Sequence, residues 1–185
     1  MTHRLTINHD ELITRTGINP YLALPREEVA HFFAAVPVEL EGETDAAGST
    51  PYLTIGAVVI LHFNYNWMVF GRGKEEDGEL ILGLRSEPFT DEAAPLFLDR
   101  EFLDYTRSFL ARTLATAEPL TMRMSGMHLE NGNGDAPGRL NLVCVAQMKN
   151  KSLQVLDPAL CLRRTMGSGE LTLCEHRFDT LSRFL

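Results

Sequence analysis

The sequence has little with which to cross-link itself, span a bilayer or grip a polyanion. Its three cysteines, Cys144, Cys161 and Cys174, are an odd number set in apolar stretches, with no C-x-x-C spacing. That excludes the dense, even framework of a secreted disulfide scaffold and predicts reduced thiols packed in the core of a cytoplasmic protein. Together with His176 the cysteines match the spacing of a zinc site poorly. The longest apolar run, residues 55–63, is broken by Gly56 and His62. It falls far short of the roughly 20 residues that a membrane helix needs. The polar start, MTHRLTINHDEL, has no apolar signal core. Basic charge is scarce too: 17 Lys+Arg stand against 25 Asp+Glu, a net charge of −8. General nucleic-acid binding needs a basic footprint to displace counterions, so it is not expected.

What is present is ordinary globular material. Hydrophobic residues make up 44% of 185 residues, enough apolar surface for one core. Pro25-Arg-Glu-Glu opens a helix that runs to Ala35, with Val29, Phe32, Phe33 and Val36 on its buried side. The residues before Pro25 read as an arm or an edge strand, and residues 39–51, acidic and turn-rich, as an exposed loop. We therefore expect residues 1–50 to be an N-terminal arm and helix of the same unit as a main domain over 51–185. From Thr54 to Phe63 the run is β-branched and nearly unbroken, as in a strand buried on both faces. Asn64-Tyr-Asn is a turn, and Trp67–Phe70 completes a hairpin.

A short strand at Glu79–Leu84 comes next, then a long amphipathic helix from about Pro95 to Ala117. Strands are expected at Leu120–Leu129 and Leu140–Met148, the latter pairing with Ser152–Leu156 through the Lys149-Asn-Lys turn. Met166–Gly169 reads as a loop and Leu173–Leu185 as a closing helix. This order predicts an α/β (α+β) fold, a mixed sheet sandwiched between helices.

Three stretches resemble the Nudix hydrolases, in particular a bacterial branch of Nudix-type phosphoesterases. They are Pro51-Tyr52 leading into the first core strand, Met68–Gly71 with the charged loop after it, and Gly126–Val145, GMHLENGNGDAPGRLNLVCV. The resemblance implies a Nudix-like fold. It also implies a loop-helix-loop of the form G-x5-E-x7-R-E-U-x-E-E-x-G-U, in which acids one turn apart hold divalent cations. Those cations neutralise a pyrophosphate and activate the attacking water.

The box is degenerate in either register that the sequence allows. In the better one Arg100-Glu101-Phe102 stands at R-E-U, Glu92 at the earlier Glu and Asp104 at the first paired acid. Ser86 then replaces the first Gly, Tyr105 the second paired acid, and Arg107-Ser108 the closing Gly-U. In the other, Arg107-Ser108-Phe109 stands at R-E-U with Asp99 at the earlier Glu, and the helix acids fall on Ser108, Ala111 and Arg112. Tyrosine is a poor hard-cation ligand at neutral pH, and arginine repels the metal.

The resemblance implies binding of a nucleoside-diphosphate-like or other phosphorylated ligand, with weak or absent metal-dependent phosphoanhydride hydrolysis. Any hydrolysis would use Mg²⁺ on Glu92, Glu101 and Asp104, with Glu101, Asp104 and Arg100 as the catalytic set. The plainer reading of these residues is the solvated face of an amphipathic helix. Ligand contacts are expected from Arg72 and Lys74 in a Gly-rich loop, from His128, whose ordinary pKa lies near neutrality, and from Asn131 in the Asn-Gly loop. Each has a structural alternative, and the aromatics Phe63, Tyr65 and Trp67 read as core or interface. The alternative function is a non-catalytic Nudix-like module for regulation or protein association, often a homodimer. A third is an unrelated α+β interaction domain.

Overall fold

The computed structural model describes residues 3–16, 23–41, 52–72, 80–92, 99–130, 138–173 and 179–184. In chain order the elements are β1 (Arg4–Asn8), α1 (His9–Thr16), β2 (Ala23–Pro25), α2 (Arg26–Ala35), β3 (Glu39–Glu41), β4 (Tyr52–Phe63), β5 (Asn66–Arg72), β6 (Leu80–Ile81), β7 (Gly83–Arg85) and α3 (Asp99–Thr113). After these come β8 (Leu114–Thr116), β9 (Thr121–Glu130), β10 (Arg139–Gln147), β11 (Leu153–Val155), β12 (Leu160–Gly167), α4 (Ser168–Leu173) and a 3₁₀ helix (Asp179–Phe184).

The β-branched run of 54–63 does what its composition dictates and forms the long central strand β4. It pairs in parallel with β10 over Arg139–Gln147, and β10 pairs antiparallel with β9. The main path of the mixed sheet runs β12-β5-β4-β10-β9-β2, with β1 and β7 also pairing to β4. At the β4–β5 hairpin Asn64 and Tyr65 both take positive φ, 45° and 61°. That is the backbone a two-residue hairpin turn requires.

Alternation along the strands sorts the core into two faces. Ile55, Ala57, Val59 and Leu61 of β4 join Leu140, Leu142 and Cys144 of β10 in the larger cluster, with Val29, Phe32 and Phe33 of α2 and Phe102 and Leu110 of α3. Val58 and Ile60 point the other way, with Val143, Val145, Leu171 of α4 and Leu181 and Phe184 of the 3₁₀ helix. The sheet is thus sandwiched between helices, as the sequence predicts.

Several element boundaries differ from expectation. The long helix ends at Thr113, and Leu114–Thr116 leaves it as β8. Residues 153–155 pair with β8 and not with β10, because β10 is already flanked by β4 and β9. Leu160–Gly167, whose end from Met166 reads in the sequence as a loop, is the edge strand β12 against β5. Its arginines mask an alternating pattern that ends in the buried Met166. The N-terminal arm supplies β1, which pairs with β4 and β3, and β2, which pairs with β9. The helix α4 begins at Ser168, inside the expected loop. Of the expected closing helix, the described part after Leu173 is the 3₁₀ helix, with residues 174–178 outside the described residues. Cys144 is buried and Cys161 half-buried, and Cys174 lies outside the described residues. Among the described residues no helix is long and apolar enough to cross a membrane.

Candidate functional site

On the smaller face the apolar cover gives out at one end of the sheet, and a group of polar side chains takes its place. The strands fix its members. Arg139 stands opposite Glu130, and Asn141 opposite His128, in the antiparallel β9–β10 register. Alternation places all four on the face that carries Val143. Arg85 joins them from β7, whose Cα partner on β4 is Val58.

The hydrogen bonding is dense around one carboxylate. Arg85 donates from Nε to Glu130 Oε2 at 2.7 Å, and its Nη2 lies 2.7 Å from Oε1, a two-pronged pair. Asn141 Nδ2 donates to the same Oε2 at 3.1 Å. Burial would raise the Glu130 carboxyl, but the Arg85 hydrogen bond and charge, with His128 and Asn141, outweigh it and hold the group below its ordinary value.

Arg139 is bound differently. Its Nη2 donates to the Ser86 carbonyl at 2.6 Å, with longer contacts to Ser86 Oγ and the Glu87 carbonyl at 3.5 and 3.4 Å. Ser86 is itself fixed, since its Oγ accepts from the Ala57 amide at 3.0 Å. Gly56 makes room for this guanidinium: a Cβ there would lie 2.6 Å from Arg139 Cζ. Burial draws Arg139 below its usual pKa, yet it remains a cation at neutral pH.

Beneath the ion pair, hydrogen-bonding capacity is left over. His128 and Asn141 are each 0% exposed. Both ring nitrogens of His128, Asn141 Oδ1 and Arg139 Nε are buried and have no partner in the structure. Burial, the largest influence, drives His128 down to about 4, with Glu130 raising it and Arg85 lowering it, so the imidazole is neutral at pH 7. Unpaired buried polar atoms each cost free energy, and a native structure keeps them where something else satisfies them.

The expected metal set is not assembled. Glu92, Glu101 and Asp104 are all exposed. Among the described residues no three His, Cys, Asp or Glu side chains are grouped to hold a metal ion. Asp104 is instead held by Arg107 at 2.7 Å, with Arg100 3.9 Å away. Helical spacing explains this, because i+3 and i+4 neighbours of Asp104 are arginines on one face. These residues do not fit Mg²⁺, and Arg100 is a partner of Asp104 on the helix surface.

Of the ligand-binding candidates, His128 lies in the polar cluster. Arg72 is exposed at the end of β5, separated from β9 by β4 and β10. Lys74 and Asn131 lie outside the described residues. Arg85, Glu130, Arg139 and Asn141 are the members that sequence reasoning passed over. Their signal was there: polar residues two apart on each strand, His128 and Glu130, then Arg139 and Asn141, interrupt otherwise apolar runs.

No protein-family model and no curated protein matches the sequence. Solved structures do. Tm1382, a candidate Nudix hydrolase, superimposes with a TM-score of 0.65 at 12% identity, covering 98% of this chain and 94% of that one. The Nudix domain of Shewanella oneidensis NrtR, solved with ADP-ribose, gives a TM-score of 0.43 at 16% identity over 78% of this chain and 86% of that one. The superposition on Tm1382 takes in nearly the whole chain, and it shows that the protein has a Nudix-like fold.

Proposed function

We propose that this Nudix-like domain binds a phosphorylated small molecule, of the nucleoside-diphosphate kind, at the Arg85–Glu130–Asn141–His128–Arg139 cluster, and that binding needs no divalent metal. The observation that carries the reading is a guanidinium with no hydrogen-bonded carboxylate, set beside unmet hydrogen bonding. Glu130 is hydrogen-bonded by Arg85 and Asn141, His128 is neutral, and the exposed Glu87 carboxylate is also felt at Arg139. Arg139 is satisfied only by neutral oxygens. A phosphate oxygen is the partner that a guanidinium in such surroundings favours. The free atoms of His128 and Asn141 suit the donors and acceptors of a base or sugar.

The helix favours weak or absent hydrolysis. The acids that would hold Mg²⁺ are exposed, and Asp104 is engaged by arginines. Regulation or recognition through a bound phosphorylated metabolite is therefore the role that this site supports.

Thermal denaturation in EDTA, across nucleoside mono- and diphosphates, their sugar conjugates, pyrophosphate and inorganic phosphate, tests the proposal. A ligand at about 100 times its Kd adds roughly 2.7 kcal/mol, a rise of several degrees for a chain of this size. A flat response across that set would defeat the reading. Mg²⁺-dependent release of phosphate that is lost in Glu101→Gln would restore the enzyme.

A further inference from the structure

On the opposite face of the sheet a cleft of about 380 Å³ opens between the last turns of α3, β8 and the start of β9. Its volume falls within the range of about 300–1,000 Å³ typical of small-molecule sites. Leu110, Leu114, Leu120 and Met122 form apolar walls, and Ala111 leaves the space that a larger side chain would fill. Among the described residues the one charged group on the lining is Arg107.

We infer that this cleft is a second binding site, for a small organic anion whose apolar skeleton enters among the leucines and whose acidic group meets Arg107. The inference does not depend on the function proposed above, since the two places share no residue.

Three further observations support the assignment. The Arg107–Asp104 pair is exposed, at 53% and 58% of the side chains, and such a pair contributes little stability. Turning Arg107 toward a ligand therefore costs little. Asp104 would keep a cation near it, because Arg100 lies 3.9 Å away. Arg100 and Arg107 against Asp104 leave one positive charge on this face of α3. Burial pushes the Cys144 thiol of β10 up to about 12, and the Arg107 charge pulls it the other way, so that charge is felt at the sheet beneath the cleft.

The test uses two probes with one skeleton, 1-anilinonaphthalene-8-sulfonate and the uncharged N-phenyl-1-naphthylamine, titrated by fluorescence into the full chain at neutral pH. Saturable binding of the sulfonate at one site is expected, with Arg107→Gln weakening it about tenfold and leaving the uncharged probe unchanged. Asp104→Asn, which removes the competing carboxylate and leaves the walls untouched, should tighten the sulfonate two- to threefold. Ala111→Phe should abolish binding of both probes while the circular dichroism and Tm stay as in the parent. Equal loss of both probes in Arg107→Gln, undiminished binding in Ala111→Phe, or no saturable binding at all would overturn the assignment.

Discussion

Arg85 closes on both carboxylate oxygens of Glu130, Nε to Oε2 and Nη2 to Oε1, each at 2.7 Å, joining β7 to β9 across β4 and β10. Each side chain is 25% exposed, so the pair sits at the edge of the polar cluster, whose His128 and Asn141 are buried. Glu130→Gln should destabilise the fold by about 2–4 kcal/mol, somewhat under the cost of breaking a fully buried pair. Urea denaturation measures this. In a double-mutant cycle with Arg85→Met the coupling should exceed the ~1 kcal/mol of a surface pair.

Acid should weaken the protein through two of these groups. Glu130 has a folded pKa below its ordinary value, so its contribution is full above the unfolded pKa and disappears as pH falls through the folded one. His128 falls from 6.5 to about 4, and its neutral form fits the folded state. Stability linked to it is therefore present above pH 6.5 and lost as pH drops toward 4. At 1.36 kcal/mol per unit, this amounts to about 3 kcal/mol. In His128→Leu the fall between pH 6.5 and 4 should be shallower, as followed by denaturation at fixed pH values.

The same variant separates stability from binding. Leucine removes two buried nitrogens that have no partner. At pH 7 the fold should be as stable as the parent or more so. Affinity for a phosphorylated ligand should nonetheless drop about tenfold, because one polar contact is gone. Paired denaturation and calorimetry on one preparation would check both halves.

Two glycines should respond differently to alanine. At Gly56 the added methyl meets the flexible Arg139 guanidinium, with Nε at 2.8 Å, so the arginine moves and the fold survives. Stability should change by about 1 kcal/mol while ligand binding is lost. At Gly126 φ is +155°, and the methyl would meet the Leu24 carbonyl and the Phe184 ring. Backbone cannot yield so easily, and a loss of about 3 kcal/mol or more is expected. The Tm of each variant gives the comparison.

Divalent metal should leave the molecule indifferent. Glu101→Gln and Asp104→Asn alter exposed groups and should each shift stability by less than about 0.5 kcal/mol. Mg²⁺ should not raise the Tm of the parent or of either variant. A rise of several degrees that Asp104→Asn removes would show a cation on the helix.

How much of this was legible in the sequence depends on range. The central strand, the hairpin and α2 were readable because composition and spacing act locally: 54–63 is β-branched, and Pro25 with Glu27 and Glu28 suits a helix start. β8 and the partner of β11 were not, because Leu114–Thr116 continues the helical pattern and pairs with residues 153–155 only through tertiary contact. The site was half legible. His128 drew notice for its chemistry, whereas Arg85 and Arg139 meet Glu130 and Ser86 from distant places in the chain, 45 and 53 residues away. The grouping of Asp104 with Arg100 and Arg107 on one helical face can be read from spacing alone.

The central claim is that a phosphorylated ligand binds at the β9–β10 cluster without a metal. Calorimetric titration of ADP, as a nucleoside diphosphate, into the parent and Arg139→Gln, each in EDTA and in Mg²⁺, addresses it most directly. The account predicts one site in the parent with equal affinity in both buffers, and loss of binding in Arg139→Gln. Binding that appears only with Mg²⁺, or that persists unchanged in Arg139→Gln, would contradict it.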